Sequence, residues 1–226
     1  MYKSNPQPEP HMKLYHYDHC PFCVRARMII GLRNLNVEQL PLANDDEATP
    51  IGLVGKKMVP ILIKEDGTAM GESLDIVRYL DEYAGKERLD ETIRPEVQAW
   101  LNQVNEYSGK LLSPRSIRIG LPEFATESAC AYYTAKKSAQ YGDFAENLAR
   151  TDELLARLHE DLPALLPLIT NPDYLGARLG YEDIITFPVL RNLTMVKGVH
   201  YPAEIRRYVE AMSAHSRVPL FDDRAV

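Results

Sequence analysis

Two thiols separated by two residues, Cys20-Pro21-Phe22-Cys23, carry the most direct chemistry in this sequence. Lys13 to Tyr17, just upstream, is short and rich in β-formers, whereas from Phe22 onward Val24, Met28, Leu32 and Leu35 recur at helical spacing. A helix starting at Pro21 puts Cys20 at the N-cap and proline at the first helical position, where a missing N–H is no loss. The Cys20 sulfur then faces the free N–H groups of Phe22 and Cys23 and the positive end of the helix dipole. That dipole contributes about 0.3–1 kcal/mol, less than one pKa unit at about 1.36 kcal/mol per unit. A strongly acidic thiol therefore also needs direct N–H···S bonds or cations, and His19, Arg25 and Arg27 are at hand. Arg27 lies four residues beyond Cys23 on the same helical face. Cys23, about one turn from Cys20, is within reach to attack a mixed disulfide formed there. Half of a zinc site is the rival reading, but Cys130 is solitary and the six histidines show no paired spacing. Cys130 reads most simply as a small buried residue on a helix.

Two further motifs follow. Val59-Pro60 opens a short apolar strand ahead of the turn Glu65-Asp66-Gly67. Downstream of a Cys-x-x-Cys at a strand end, it suggests the cis proline that faces the thiols in thioredoxin-like folds. Such a proline leaves the Val59 backbone N–H and C=O available to a peptide-like ligand. Gly71-Glu72-Ser73 opens a helix. Its plain reading is a serine cap, while its functional reading holds an α-amino acid end, with N–H groups and hydroxyl for the carboxylate and Glu72 for the ammonium. Lys56-Lys57 reads by default as a solvated pair.

The elements that must position these residues run β-α-β-α-β-β-α over roughly 75 residues. The helical parts are one from Pro21, a short one over 49–55, and one through Leu74, Val77 and Leu80 that Gly85 stops. After Lys86 only helical patterns appear, over 94–113, 122–140, 143–166, 181–196 and 202–214. The expected organisation is a small α/β domain over 12–84, a linker over 85–92 and an all-helical domain over 93–226. Residues 1–11, with three prolines and no basic or apolar run, read as a disordered leader or vector remnant rather than a signal peptide.

Composition closes off other classes. The 226 residues carry 26 Lys+Arg against 32 Asp+Glu, a net charge of −6, which argues against binding the nucleic-acid backbone. The longest apolar stretch of note, Leu162 to Ile169, is eight residues with two prolines, far short of the roughly 20 that span a bilayer. Three cysteines are too few, and odd in number, for a disulfide-stapled secreted domain, so a reducing cytoplasm is the expected home.

Leu14-Tyr15 through Cys23, Val59-Pro60-Ile61-Leu62, Glu72-Ser73 with Asp75-Ile76-Val77, and Phe187-Pro188 through Arg191-Asn192-Leu193 together resemble the glutaredoxins. The likeness is to their large two-domain bacterial type, glutaredoxin 2, whose architecture is similar to glutathione transferases, and it spans residues 12–226. It implies a thioredoxin-like α/β domain with a mixed four-stranded sheet, followed by an all-α glutathione transferase-like domain. It also implies glutathione as reductant and co-substrate, with no metal. Carried over residue by residue, Cys20 is the nucleophile and Cys23 the resolving thiol. Glutathione is held by Pro21, Phe22, Met58, Val59, Pro60, Glu72 and Ser73, and His19 and Arg27 are positioned to stabilise the thiolate. The implied partners are glutathionylated or disulfide-containing proteins, and the implied state is a monomer. Two residues depart from the pattern. Phe22 replaces the usual Tyr, and Gly180 stands where a Ser or Thr normally caps the core helix three residues before Asp183, which predicts a slightly weaker cap. The rival readings are a transferase conjugating electrophiles, which would have no use for a second thiol, and a non-enzymatic iron–sulfur or metal carrier, which Pro21 disfavours by stiffening the loop.

Overall fold

The computed structural model of the chain describes residues 12–226, so the expected leader over 1–11 lies outside the described residues. Four strands, β1 (Met12–His16), β2 (Val37–Pro41), β3 (Ile61–Ile63) and β4 (Ala69–Met70), form one mixed sheet in the order β2-β1-β3-β4. β1 runs parallel to β2, with Met12 opposite Val37, and antiparallel to β3, with Leu14 opposite Leu62. Helices α1 (Pro21–Arg33), α2 (Ala48–Val54) and α3 (Ser73–Tyr83) complete the β-α-β-α-β-β-α unit. One boundary moves: β3 begins at Ile61, so Val59 and Pro60 precede the strand, joined by a cis peptide bond.

α1 is buried on more than the expected stripe, at Cys23, Val24, Ala26, Met28, Ile29 and Ile30, while Leu32 and Leu35 are only partly buried. The reason is its position between α3 on one side and two helices of the second half, α8 (Tyr181–Leu193) and α9 (Ala203–Ser216), on the other. Gly31 permits that approach. A Cβ there would stand 1.8 Å from the Ser216 carbonyl oxygen of α9, so any side chain would push the two helices apart.

The remainder is helical: α4 (Pro95–Ser116), α5 (Glu127–Tyr141), α6 (Phe144–Ala149), α7 (Thr151–Asp161), then α8 and α9. Two of the expected helices are broken. The one over 122–140 is a 3₁₀ turn, Pro122–Phe124, followed by α5, whose start is set by Thr126 accepting the Ala129 N–H at 3.2 Å. The one over 143–166 is α6, capped by Asp143, then α7, then a 3₁₀ segment Leu162–Leu168 whose Pro163 and Pro167 lack helix donors. α4 instead runs past its expected end at 113, through Pro114 to Ser116.

α8 is buried at every residue and forms the centre of the helical half. Its start shows why glycine replaces the usual hydroxyl. Asp183 accepts the Gly180 N–H at 2.9 Å, the Leu175 N–H at 2.8 Å and the Tyr208 hydroxyl at 3.1 Å, while burial raises its pKa to about 6. The opposite half of the box is supplied by main chain, the Gly180 carbonyl accepting the Asp183 N–H at 3.1 Å. The Asp90 carbonyl, arriving from the segment between α3 and α4, accepts the Tyr181 N–H at 2.7 Å. A Cβ on residue 180 would stand 2.8 Å from that carbonyl oxygen. The expected weak cap is thus compensated by a contact that only glycine admits. Gly180→Ser should therefore lower the denaturant midpoint rather than raise it, with overpacking costing about 1–3 kcal/mol of unfolding free energy. Equilibrium unfolding checks this, and a stabilised variant would show that the hydroxyl was merely missing.

Candidate active site

Cys20 has extended backbone (φ −74°, ψ 117°) at the N-cap of α1, with Pro21 as the first helical residue. Its thiol is half-buried, whereas Cys23, one turn on, is fully buried, and its sulfur accepts the Tyr17 N–H at 3.3 Å. The two thiols are driven apart electrostatically. Cys20 falls to about 6 because the Cys23 thiol hydrogen-bonds its sulfur, the positive charge of His19 lies close, and the N–H groups of Cys23 and Phe22 point at it; burial alone opposes the shift. Cys23 is pushed well up, first by burial and then by the hydrogen bond and charge of Cys20. Such an arrangement can offer one thiol as a nucleophile while the other stays protonated beside it.

The approach to Cys20 is held by the helical half. The Asn192 side chain donates to the His19 carbonyl at 2.6 Å, and Arg191 donates to the Asp18 carbonyl at 2.6 Å and its carboxylate at 2.8 Å. Glu123, on the turn before α5, accepts both the His19 backbone N–H at 2.9 Å and its ring Nδ1 at 2.6 Å. Of the two expected cations near the thiolate, His19 lies beside it. Arg27 is engaged with the Asp18 carboxylate and, at 3.0 Å, with Gln39. Arg25, with its guanidinium over the Phe22 ring at 4.7 Å, instead turns toward the site.

Val59 and Cys20 both pack against the small cluster of Tyr17, Cys23 and Leu42, and Pro60 is buried. The Met58 thioether lies beside Gly71. At the start of α3 the serine-cap reading fails: Glu72 occupies the cap position with φ +61°, and no side chain caps the helix. Ser73 is the first helical residue, buried, and its hydroxyl accepts from Arg25 at 3.4 Å. A non-glycine residue at positive φ costs on the order of 1–3 kcal/mol, and such strain collects at functional sites. The Glu72 carboxylate pairs with Lys56 at 3.1 Å on the surface.

A cavity of about 670 Å³ opens over Cys20 between the two halves. Cys20, Pro21, Phe22, Met58 and Val59 line one side, and Tyr133, Lys136 and Lys137 of α5 face them. Pro60, Cys23, Glu72, Ser73 and Arg27 lie outside its lining. Among the described residues lining it, His19, Arg25, Lys57, Lys136 and Lys137 are basic and none is Asp or Glu, although the chain as a whole is net negative. Among the described residues, no group of three His, Cys, Asp or Glu is placed to hold a metal, and no helix is long and apolar enough to cross a membrane.

Glu123, Tyr133, Lys136 and Lys137 were not legible as site residues, since each sits more than 100 positions from Cys20 in a pattern that reads as ordinary helix. The one available signal was an acid set between Pro122 and Phe124.

Fold and dithiol together define a thioredoxin-fold redox protein with a transferase-like helical half. The comparisons sharpen this. Residues 14–88 match the glutathione S-transferase N-terminal domain, and residues 96–225 match the glutaredoxin 2 C-terminal domain. The chain is 44% identical to glutaredoxin 2 of Escherichia coli over 215 residues, 95% of this chain and all of that protein. It superposes with TM-score 0.92 and 44% identity on the Salmonella typhimurium glutaredoxin 2 solved in complex with glutathione, covering 95% of this chain and 99% of the other. An omega-class transferase from Trametes versicolor, 21% identical with TM-score 0.55 over 96% of this chain and 86% of the other, shares the fold. The chain belongs to the glutaredoxin 2 family.

The opposed thiol shifts give a pH signature. Cys20 alkylation by iodoacetamide should rise with pH through a midpoint near 6, and Cys23 in a Cys20→Ser variant should stay unreactive at neutral pH. A Cys20 midpoint near the unperturbed value of about 8.5 would contradict the assigned environment.

Proposed function

We propose that the chain reduces protein–glutathione mixed disulfides and protein disulfides, with Cys20 as nucleophile and Cys23 as resolving thiol. It is a glutathione-dependent thiol–disulfide oxidoreductase of the glutaredoxin 2 family. The observation that carries the assignment of roles is the acidic Cys20 thiol at a helix N-terminus, open to a cation-lined cavity while its buried partner stays protonated.

The Cys20 thiolate attacks the glutathione sulfur of a mixed disulfide. The old S–S bond breaks as the new one forms, and the protein leaves as a thiolate that takes a proton from solvent. A glutathione thiolate then attacks the glutathione sulfur now on Cys20, releasing glutathione disulfide and regenerating the Cys20 thiolate. With a protein disulfide, Cys23 attacks Cys20 instead. Loss of the Cys20 negative charge on forming the first disulfide removes one of the causes holding Cys23 protonated and eases its ionisation, although burial, the largest cause, remains.

Glutathione carries two carboxylates against one ammonium, which suits a cavity with only basic charged lining. A volume of about 670 Å³ also leaves room beside a tripeptide for part of the disulfide partner. In this reading Pro21, Phe22 and Met58 contact the bound tripeptide, Val59 ahead of Pro60 pairs with its cysteinyl backbone, and the unused N–H groups at the start of α3 receive its γ-glutamyl carboxylate beside Ser73. Glu72 takes the ammonium in exchange for Lys56. Residues 12–84 form the redox domain, 85–92 the linker and 93–226 the helical domain that walls the cavity. The targets are glutathionylated and disulfide-bonded proteins, the working state is a monomer and the compartment a reducing cytoplasm. Conjugation of electrophiles is the weaker reading, because it gives the buried Cys23 thiol no task.

Two tests follow from these roles. Cys20→Ser should abolish all turnover. Cys23→Ser should keep deglutathionylation of a glutathionylated protein and lose reduction of a protein disulfide, and equal loss of both activities would refute the one-thiol step. Separately, Glu72→Gln and Ser73→Ala should each raise the KM for glutathione by roughly ten- to a hundredfold, the equivalent of about 1.5–3 kcal/mol for a hydrogen bond to a charged group. An unchanged KM would remove both residues from the glutathione site.

A further inference from the structure

We infer that Glu123, contributed by the helical half of the chain, is a positioning residue for the nucleophile: its buried carboxylate fixes the His19 ring and holds it as the cation beside Cys20. The inference rests on the proposed role of Cys20 and adds to it a residue one hundred and three positions away in sequence (123 − 20).

The Glu123 side chain is wholly buried. One carboxylate oxygen, Oε1, accepts the His19 backbone N–H at 2.9 Å and ring Nδ1 at 2.6 Å. The other, Oε2, is buried without a hydrogen-bond partner among the described residues. Burying a carboxylate in this way is strongly unfavourable unless an opposite charge meets it. A neutral imidazole would donate the same hydrogen bond and leave that charge uncompensated, whereas the imidazolium compensates it. Burial opposes the charged form of Glu123, yet the hydrogen bond and charge of His19 outweigh it and hold its pKa below the ordinary value. The ring cannot swing away. Tyr17 stacks on it at 5.8 Å, and Phe124 and Tyr133 close its other sides at 5.0 and 5.1 Å. The turn carrying Glu123 is itself tied to the redox half, since the Glu123 carbonyl accepts the Asn44 N–H at 2.9 Å.

The other groups around this pair have separate tasks or smaller reach. Cys23 and Arg25 face Cys20 from α1, Tyr17 from the loop after β1, and Tyr133 and Lys137 from α5. Arg191 is close enough to attract Glu123, but its donors are spent on Asp18, Asn192 and Pro219. His16, behind the pair, is driven by burial to about 4 and stays neutral. Glu123 thus acts on the two thiols in opposite senses. Its own charge disfavours ionisation of Cys23, while through His19 it favours ionisation of Cys20.

The test is Glu123→Gln in the full chain, reading Cys20 thiolate formation against pH by ultraviolet absorbance or alkylation rate, with thermal unfolding alongside. Gln keeps a carbonyl oxygen for the His19 backbone N–H and removes the charge. The expected result is an upward shift of the Cys20 titration by about one pH unit, hence about tenfold less thiolate at a pH below both midpoints. The same substitution in a His19→Gln background should give no further shift. An unchanged or lowered Cys20 midpoint in Glu123→Gln would overturn the inference, as would an equal shift in both backgrounds, because a merely structural residue moves the melting temperature and not the titration. Should Glu123→Gln fail to fold, Glu123→Asp decides: a carboxylate one methylene shorter, drawn back from the His19 ring, should raise the Cys20 midpoint, and an unaltered midpoint in the folded variant overturns the inference. Failure of the oxidoreductase reading itself would be seen separately, as turnover surviving Cys20→Ser.

Discussion

The Arg191 guanidinium, buried to the point of no exposed side-chain surface, governs how the two halves of this chain meet. It sits on the Phe221 ring at 3.9 Å and donates to the Pro219 carbonyl and to both the carbonyl and the carboxylate of Asp18. Burial lowers its pKa to about 10, so it remains charged at neutral pH. Asp18 shows the converse: burial opposes its ionisation, but Arg191 and then Arg27 outweigh that and hold its pKa down. A group depressed in the folded state contributes stability above the ordinary carboxylate range, and that contribution is lost as pH falls through the lowered value. Removing one partner of such a pair strands a buried charge, at about 3–5 kcal/mol. The segment Asp18-His19 is therefore bound into the helical core, immediately before Cys20.

From that constraint the chemistry follows in order. α8, buried along its length, presents Arg191 and Asn192 side by side to the carbonyls of Asp18 and His19. The turn before α5 presents Glu123 to the His19 N–H and ring. With its approach held from both directions, Cys20 sits at the N-cap of α1, where the Cys23 thiol, His19 and the N–H groups of Cys23 and Phe22 lower its pKa. The helical half is in this sense part of the thiol's environment as well as the far wall of its cavity.

Much of the redox half was legible because its signals are local. A Cys-Pro-x-Cys at a strand-to-helix change sets its own geometry, since proline at the first helical position and free N–H groups are properties of consecutive residues. The sequential order β-α-β-α-β-β-α and the three helices follow from short periodic runs. What sequence reasoning missed depends on contacts far apart in the chain. Glu123 reads as an acid in the first turn of a helix, and Lys136 and Lys137 fall within the same helical stretch. Gly180 reads as a lost hydroxyl until the Asp90 carbonyl is seen to occupy the space. The long helices were misjudged at Phe124-Ala125-Thr126, where a threonine cap starts a new helix, and at Arg150-Thr151, where α7 begins without a side-chain cap. Cys130, expected buried, is half-buried, with its sulfur 3.5 Å from the Phe124 carbonyl.

The central claim is that contacts from the helical half, anchored by Arg191, set the reactivity of Cys20. The most direct measurement is the rate of Cys20 alkylation at neutral pH in an Arg191→Met variant that circular dichroism shows to be folded. Methionine keeps the apolar stem over Phe221 and removes the bonds to Asp18. The account predicts a rate at least severalfold below that of the unaltered protein, because the loop that aims His19 and the helix N-terminus at the sulfur is released. Full reactivity in a folded variant would contradict it, and would place the control of the thiol within the residues next to Cys20 alone.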